Sequence, residues 1–259
     1  MEFNVEETTK KIVEDIKRYY QDNHAKGAII GISGGKDSAV VASLMVKAIG
    51  SDNVIGFWLP CNSKDTDKKD AYEVAKALKI KLIEHDLTKI YKEIVNDSIN
   101  NASITKLDLL SNSNINIKPR LRMNILYYYA AYFTSLYNSL YLVCGTSNKS
   151  ELFVGYFTKG GDSVYDIAPI KHLYVDEVIK VGEYLNIVPD YIIHKTPDDG
   201  LSGLTDEEKL GFTYIDVKKV SQEMETGVTN NTISNEIREK ILKAHKMNQH
   251  KFNVVEFRR

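Results

Sequence analysis

Gly31-Ile32-Ser33-Gly34-Gly35-Lys36-Asp37-Ser38 is the stretch that decides how this chain folds. Ahead of its loop, Ala28-Ile29-Ile30-Gly31-Ile32 is a short apolar, β-branched run bounded by Gly27, the pattern of a buried strand. Behind it, Ser38 to Ile49 is rich in Ala, Val, Leu and Met and meets no Pro or Gly before Gly50, which predicts a helix with a buried face and a glycine stop. A strand that ends in a Ser/Gly loop and opens directly into a helix gathers unpaired N–H groups and the positive end of the helix dipole at one point. Phosphate oxygens bind at such a point.

The residue types narrow the chemistry. Gly34 and Gly35 allow close backbone approach and positive φ, while Ser33 and Ser38 offer hydroxyl donors. Asp37 would repel a phosphate unless a cation lay between them, so magnesium is implied. A Walker loop needs Ser or Thr directly after its lysine, and Asp37 stands there instead; no Gly-x-Gly-x-x-Gly run occurs either. Ser-Gly-Gly-Lys-Asp-Ser between strand and helix resembles the PP-loop of the ATP pyrophosphatases, which adenylate a substrate and release pyrophosphate. The resemblance implies ATP as co-substrate.

Outward from the loop, Val5 to His24 spaces Ile12, Val13, Ile16, Tyr19 and Tyr20 as one face of an amphipathic helix. Asn53 to Pro60 predicts a second strand, Lys68 to Leu78 a helix, Ile80 to Leu87 a third strand and Ser139 to Cys144 a fourth. Alternating strands and helices of βαβ length predict an α/β fold: a doubly wound, parallel, five-stranded sheet with helices on both faces, Rossmann-like and similar to the adenine nucleotide alpha hydrolases. Ligands then belong at the carboxyl ends of the strands. Residues 96–118 are Asn/Ser-rich and suggest a long loop with a short turn at Leu107–Leu110. Arg120 to Tyr137 predicts a helix apolar around most of its circumference, so its tyrosines suit core or subunit packing better than base stacking. Arg120 and Arg122 open that helix against its dipole, which suggests a nearby anion. Trp58, the single tryptophan, suits core packing, with a place near an adenine ring as the other possibility.

The 259 residues carry 34 basic and 35 acidic side chains, a formal charge of −1, so no global field invites nucleic acid or a membrane surface. Cys61 and Cys144 lack any disulfide or zinc spacing and suit two reduced thiols in a cytoplasmic protein. No apolar run reaches the roughly 18 residues of a membrane span. A single domain over 1–259 is expected.

A second chemical site follows the fourth strand. Thr146 offers a hydroxyl there, and Glu151 supplies a carboxylate that can face Asp37 across a triphosphate; two hard oxygen ligands suit magnesium, although Glu151 could instead be an ordinary first-turn helix carboxylate.

Gly145–Glu151, Gly155–Asp162, Asp166–Ile170, Asn116–Met123, Lys195–Pro197, Gly200-Leu201, Leu204–Gly211 and Gln249–Lys251 together resemble ammonia-dependent NAD synthetase, in order over nearly the whole chain. The resemblance implies amidation of deamido-NAD through an adenylate, with release of pyrophosphate and AMP, in a homodimer without a glutaminase domain. It assigns ATP binding to Gly31, Ile32, Ser33, Gly34, Gly35, Lys36, Asp37, Ser38 and Thr146. Magnesium falls to Asp37 and Glu151. The dinucleotide falls to Arg120, Lys159, Asp166, His250 and Lys251, and the reacting groups are flanked by Asp37, Glu151 and Asp166. Val175 and Asp198 depart from the pattern, which has a lysine and Ser or Thr at those ATP-contact positions; Lys171 stands near the first, and Asp199 follows the second. His245-Lys246 competes with His250-Lys251 for the substrate role. Residues 196–210 are Asp/Gly/Glu-rich and predict a loop or lid. Rival readings are amidation of another carboxylate, such as nicotinate mononucleotide, and a non-catalytic adenine-nucleotide-binding protein.

Overall fold

A computed structural model describes residues 3–101, 112–197, 205–253 and 256–257, without the side chains of 98–101. The predicted turn at Leu107–Leu110, together with Asp198, Asp199, Gly200, Leu201 and Leu204, lies outside the described residues.

Helix α1 (Val5–Asp22) leads into β1 (Ala25–Gly31), α2 (Lys36–Ile49), β2 (Val54–Trp58), α3 (Asp65–Leu78), β3 (Lys81–Glu84) and α4 (Thr88–Asn101). Then come α5 (Asn112–Tyr137), β4 (Leu140–Cys144), α6 (Lys149–Val154), α7 (Val175–Leu185), α8 (Asp190–Ile193), α9 (Asp206–Leu210), α10 (Tyr214–Thr226) and α11 (Asn235–Met247). The strands are all parallel in the order β3-β2-β1-β4. The chain leaves β1 toward β2 on one side and reaches β4 on the other, so the crevice beside β1 is the place where a ligand meets the strand ends.

β1 is buried on both faces, as a central strand must be. Ile30 packs with α1, α2, α3, α7 and α8 on one side, and Ile29 packs with α4 and α5 on the other. Alternate residues of one strand thus separate two apolar layers. A third cluster, around Val217, Val220 and Ile241, joins α10 and α11 to α6.

Two expectations are corrected. The sheet has four strands among the described residues, not five: beyond β4 the chain makes only an isolated bridge, Cys144 to Ile167. There Asp166 and Ile167 turn their N–H groups to Val143 O, and Gly145 N–H reaches Ile167 O. The sequence from Asp166 to Pro169 is too short between its turns to extend the pairing. Within the predicted loop over 96–118 the described residues, 96–101 and 112–118, are helical, because α4 runs to Asn101 and α5 already starts at Asn112, with Pro119 inside it. Proline signals a helix start by removing an N–H, but a helix also tolerates one within its first turns when packing holds the rest.

Candidate active site

The loop between β1 and α2 is held by its own hydroxyls. Ser38 Oγ accepts from Ser33 N (3.2 Å) and donates to Gly35 O (3.0 Å), and Gly35 N donates to Ser33 Oγ (3.2 Å). Gly34 sits at φ +80°, and a Cβ there would collide with Asp67 O. Glycine is therefore required at this position by both conformation and space. Gly35 is the N-cap of α2 and makes no side-chain cap bond, so the first-turn N–H groups remain directed at whatever occupies the loop.

This loop forms one wall of a cleft of about 450 Å³. Its floor is the carboxyl ends of β1, β2 and β4, with Gly31, Phe57, Trp58 and Val143; Thr146 and Gly145 stand beside them, and Arg122 and Lys118 enter from α5. The Asp37 carboxylate faces α6: Asn148 Nδ2 donates to its Oδ1 (3.0 Å), and buried Lys36 approaches its Oδ2 at 3.4 Å. Asn148 also caps α6 by accepting from Glu151 N (3.1 Å), while Glu151 Oε2 accepts from Asn148 N (3.2 Å). One asparagine thereby fixes both carboxylates. Burial, reinforced by the charge of Asp37, raises the pKa of Glu151 well above its usual range. Two neighbouring acids that repel each other, with Lys36 as their nearby cation, fit a divalent ion held by hard oxygens. Among the described residues no group of three or more His, Cys, Asp or Glu side chains forms a fuller cage, so any further ligands would come from phosphate and water.

The expected dinucleotide residues collect beyond the cleft's edge. Arg120 Nε and Nη2 donate to Lys159 O (3.3 and 3.2 Å), and Lys159 Nζ donates to His250 O (2.7 Å). Lys251 Nζ donates to Gly155 O and Phe157 O (2.7 and 2.9 Å). Gly161 joins this rim to the cleft, where a Cβ would come within 3.1 Å of Pro119 and Arg120. His245 is occupied elsewhere, stacked on Phe153 with 4.3 Å between ring centroids and within 2.7 Å of Phe153 O. That leaves His250-Lys251 as the dipeptide beside the rim. Asp166 is not among the cleft-lining residues: it accepts from Val143 N (2.7 Å) and Tyr127 hydroxyl (3.1 Å), tying α5 to β4.

Three residues not singled out for the site line the cleft as well. Asp162 accepts from Thr158 N (2.7 Å) and is exposed to solvent. Lys195 Nζ donates to Asp67 and Asp70 and lies 3.4 Å from Gly34 O, bracing the phosphate loop against α3. Cys61 is buried there, and burial raises its thiol pKa. Asp162 follows Lys-Gly-Gly, a turn signal whose acidic residue could have been marked as loop-borne chemistry. Val175 packs toward the α6–α10–α11 cluster and its N–H donates to Ser150 Oγ (3.2 Å), while Lys171 Nζ lies 5.7 Å from the Tyr165 ring centroid at the cleft's edge.

The NAD synthase family model matches residues 8–255. The chain belongs to the NAD synthase family. The NH(3)-dependent NAD(+) synthetase of Carboxydothermus hydrogenoformans is 43% identical over 218 residues, covering 84% of this chain and 85% of that protein. The synthetase of the same description from Methanocaldococcus jannaschii is 41% identical over 237 residues, 90% and 86% of the two chains. Among solved structures, the NMN synthetase of Francisella tularensis superposes with a TM-score of 0.83 at 32% identity and covers 99% of both chains. The NH3-dependent NAD synthetase of Campylobacter jejuni, solved with nitrate, gives 0.78 at 26% identity and covers 99% of this chain and all of that one.

Proposed function

We propose that the chain is an ammonia-dependent NAD synthetase, an ATP-dependent ligase that amidates deamido-NAD. The observation that carries this reading is the 31–38 loop in the wall of a cleft at the strand ends, with Asp37 tied through Asn148 to Glu151 and the Arg120–Lys159–His250 chain of hydrogen bonds beyond its edge. The first-turn N–H groups of α2 and the hydroxyls of Ser33 and Ser38 hold the ATP phosphates, with Thr146 beside the nucleotide. Asp37 and Glu151 are the residues that would hold magnesium, which when bound would supply charge neutralisation at the phosphates. Arg120, Lys159, His250 and Lys251 receive the dinucleotide, and Asp166 sets the geometry of that wall by fixing α5 to β4.

The nicotinate carboxylate oxygen attacks the α-phosphorus, and the bond to pyrophosphate breaks. Ammonia then attacks the carboxyl carbon and AMP leaves with the attacking oxygen. The nitrogen loses a proton, and Asp162, a carboxylate in the cleft lining, is the acceptor placed to take it. No protein nucleophile is required; orientation and charge stabilisation account for the catalysis. Ammonia is taken up as such, and the 1–259 chain acts as the synthetase unit. The exposed side chains of Tyr128, Tyr132, Leu136 and Tyr137 along α5, with Leu140, form the face of a homodimer. The buried thiols of Cys61 and Cys144 suit the cytoplasm, and among the described residues no helix is long and apolar enough to cross a membrane.

Incubation with ATP, magnesium, ammonium and deamido-NAD, followed by mass spectrometry, should yield NAD, AMP and pyrophosphate. Asp37→Ala and Glu151→Ala should abolish all three products while the fold is retained. A second reading, amidation of nicotinate mononucleotide, is favoured by the close superposition on the F. tularensis NMN synthetase. Parallel assays of both acids at equal concentration separate the two.

A further inference from the structure

The four cations that line the cleft are Lys36, Lys118, Arg122 and Lys195. Lys36 approaches Asp37, Lys195 is held by Asp67 and Asp70, and Lys118 lies with its Nζ 5.0 Å from the Tyr91 ring centroid. Arg122 differs. Its Nε donates to Leu59 O (3.0 Å) and its Nη2 reaches Ser63 Oγ at 3.4 Å; it forms no ion pair among the described residues. Asp162 and Asp67 act on it only at a distance. Removing a guanidinium from water without a carboxylate partner is costly, so such a group belongs where an anion arrives.

The Nε and Nη2 bonds fix the plane of the fork and leave Nη1 with no partner among the described residues. The side chain lines the same cleft as Lys36 and Asp37 of the loop and as Asp162, the residue placed to take the proton from ammonia. Arg120, two residues earlier on α5, points to the Lys159 rim instead, so the two arginines serve different parts of the ligand. A planar guanidinium matches a carboxylate better than a lysine ammonium does, and a site with one such group discriminates an acid from its amide.

We infer that Arg122 binds the carboxylate of the acid substrate and orients it for attack on the α-phosphate, making it the residue that selects acid over amide. The inference rests on the synthetase reading and adds a recognition residue to it. It also explains how product leaves: amidation removes the negative charge that Arg122 holds.

The test is calorimetric binding of deamido-NAD and of NAD, which differ only by carboxylate against carboxamide, with magnesium and a non-hydrolysable ATP analogue present. The wild type should prefer the acid. Arg122→Gln should lower acid affinity by about 10- to 100-fold while leaving amide affinity within about twofold, as expected for one charged hydrogen-bonded contact. Arg122→Lys, which keeps the charge and loses the fork, should fall between. The inference is overturned if the wild type shows no preference, if Arg122→Gln keeps it, or if acid and amide affinities fall together, which would mark a purely structural tie to Leu59 and Ser63. Failure of the synthetase reading would appear separately, as binding of the acid by the wild type without formation of amide from ATP and ammonium.

Discussion

At the residue scale the pair Asp37–Glu151 governs the account. Glu151 has a folded pKa raised above its ordinary 4.5, chiefly by burial and then by Asp37. Its folded form therefore binds a proton more tightly than the unfolded chain does, and stability falls as pH rises from about 4.5 through the raised value. Glu151→Gln keeps an oxygen to accept from Asn148 N and removes the charge. In metal-free buffer the variant should melt higher than wild type at pH 8 and at the same temperature at pH 4, with each 1 kcal/mol moving Tm by roughly 2–4 °C. Added magnesium should raise Tm of the wild type and leave Glu151→Gln nearly unmoved; equal melting of the two at pH 8 would count against the buried pair. Asp162→Asn should slow amide formation by on the order of 100-fold while acid-dependent pyrophosphate release persists, because the first step needs no proton acceptor. Equal loss of both steps would remove its role. Asp37, Ser33, Ser38 and the two glycines were legible because a phosphate site reads as a local string. Arg122 was legible as an anion-facing cation but not as a partner of Leu59, 63 residues away, and Lys195 was not, since its meaning depends on Gly34, 161 residues away; Asp162, held locally by Thr158 N, sits in a turn that reads only as loop.

At the scale of elements, α5 is the beam that ties the site together: Arg122 grips the end of β2, Arg120 the 159 rim, and Tyr127 reaches Asp166 beside β4. Its apolar circumference was visible in the sequence, but its first two turns were hidden by Asn, Ser and Pro119, residues that read locally as loop and become helical under tertiary packing. The missing fifth strand has the same origin, since a single bridge at Ile167 has no periodicity to detect. Gly155 closes α6 at φ +69°, and a Cβ there would collide with Asn248, just before the His250-Lys251 turn. Gly155→Ala should cost about 1–2 kcal/mol for the left-handed backbone and push that turn from the rim. The KM for the acid should then rise at least about tenfold in steady-state assays, with the KM for ATP changed less than about threefold. A parallel rise in both would show that the rim and the phosphate loop are not separate parts.

For the whole molecule, four parallel strands present the phosphate loop, Thr146 and the carboxylate pair at one edge, and α10 and α11 bring the C-terminal turn to the other side of the entrance. If the proposed homodimer forms, the exposed apolar side chains of α5 are where the second copy should dock. Tyr132→Glu with Leu136→Glu should convert a dimer to a monomer in light scattering; an unchanged mass would place any dimer contact elsewhere. The central claim is that an acid carboxylate is adenylated at the end of β1 before ammonia arrives. It is tested most directly with deamido-NAD labelled with oxygen-18 in its carboxylate, turned over with ATP and ammonium and followed by mass spectrometry of the nucleotides. The account predicts AMP carrying one labelled oxygen and pyrophosphate carrying none; unlabelled AMP, or label in pyrophosphate or phosphate, would contradict it.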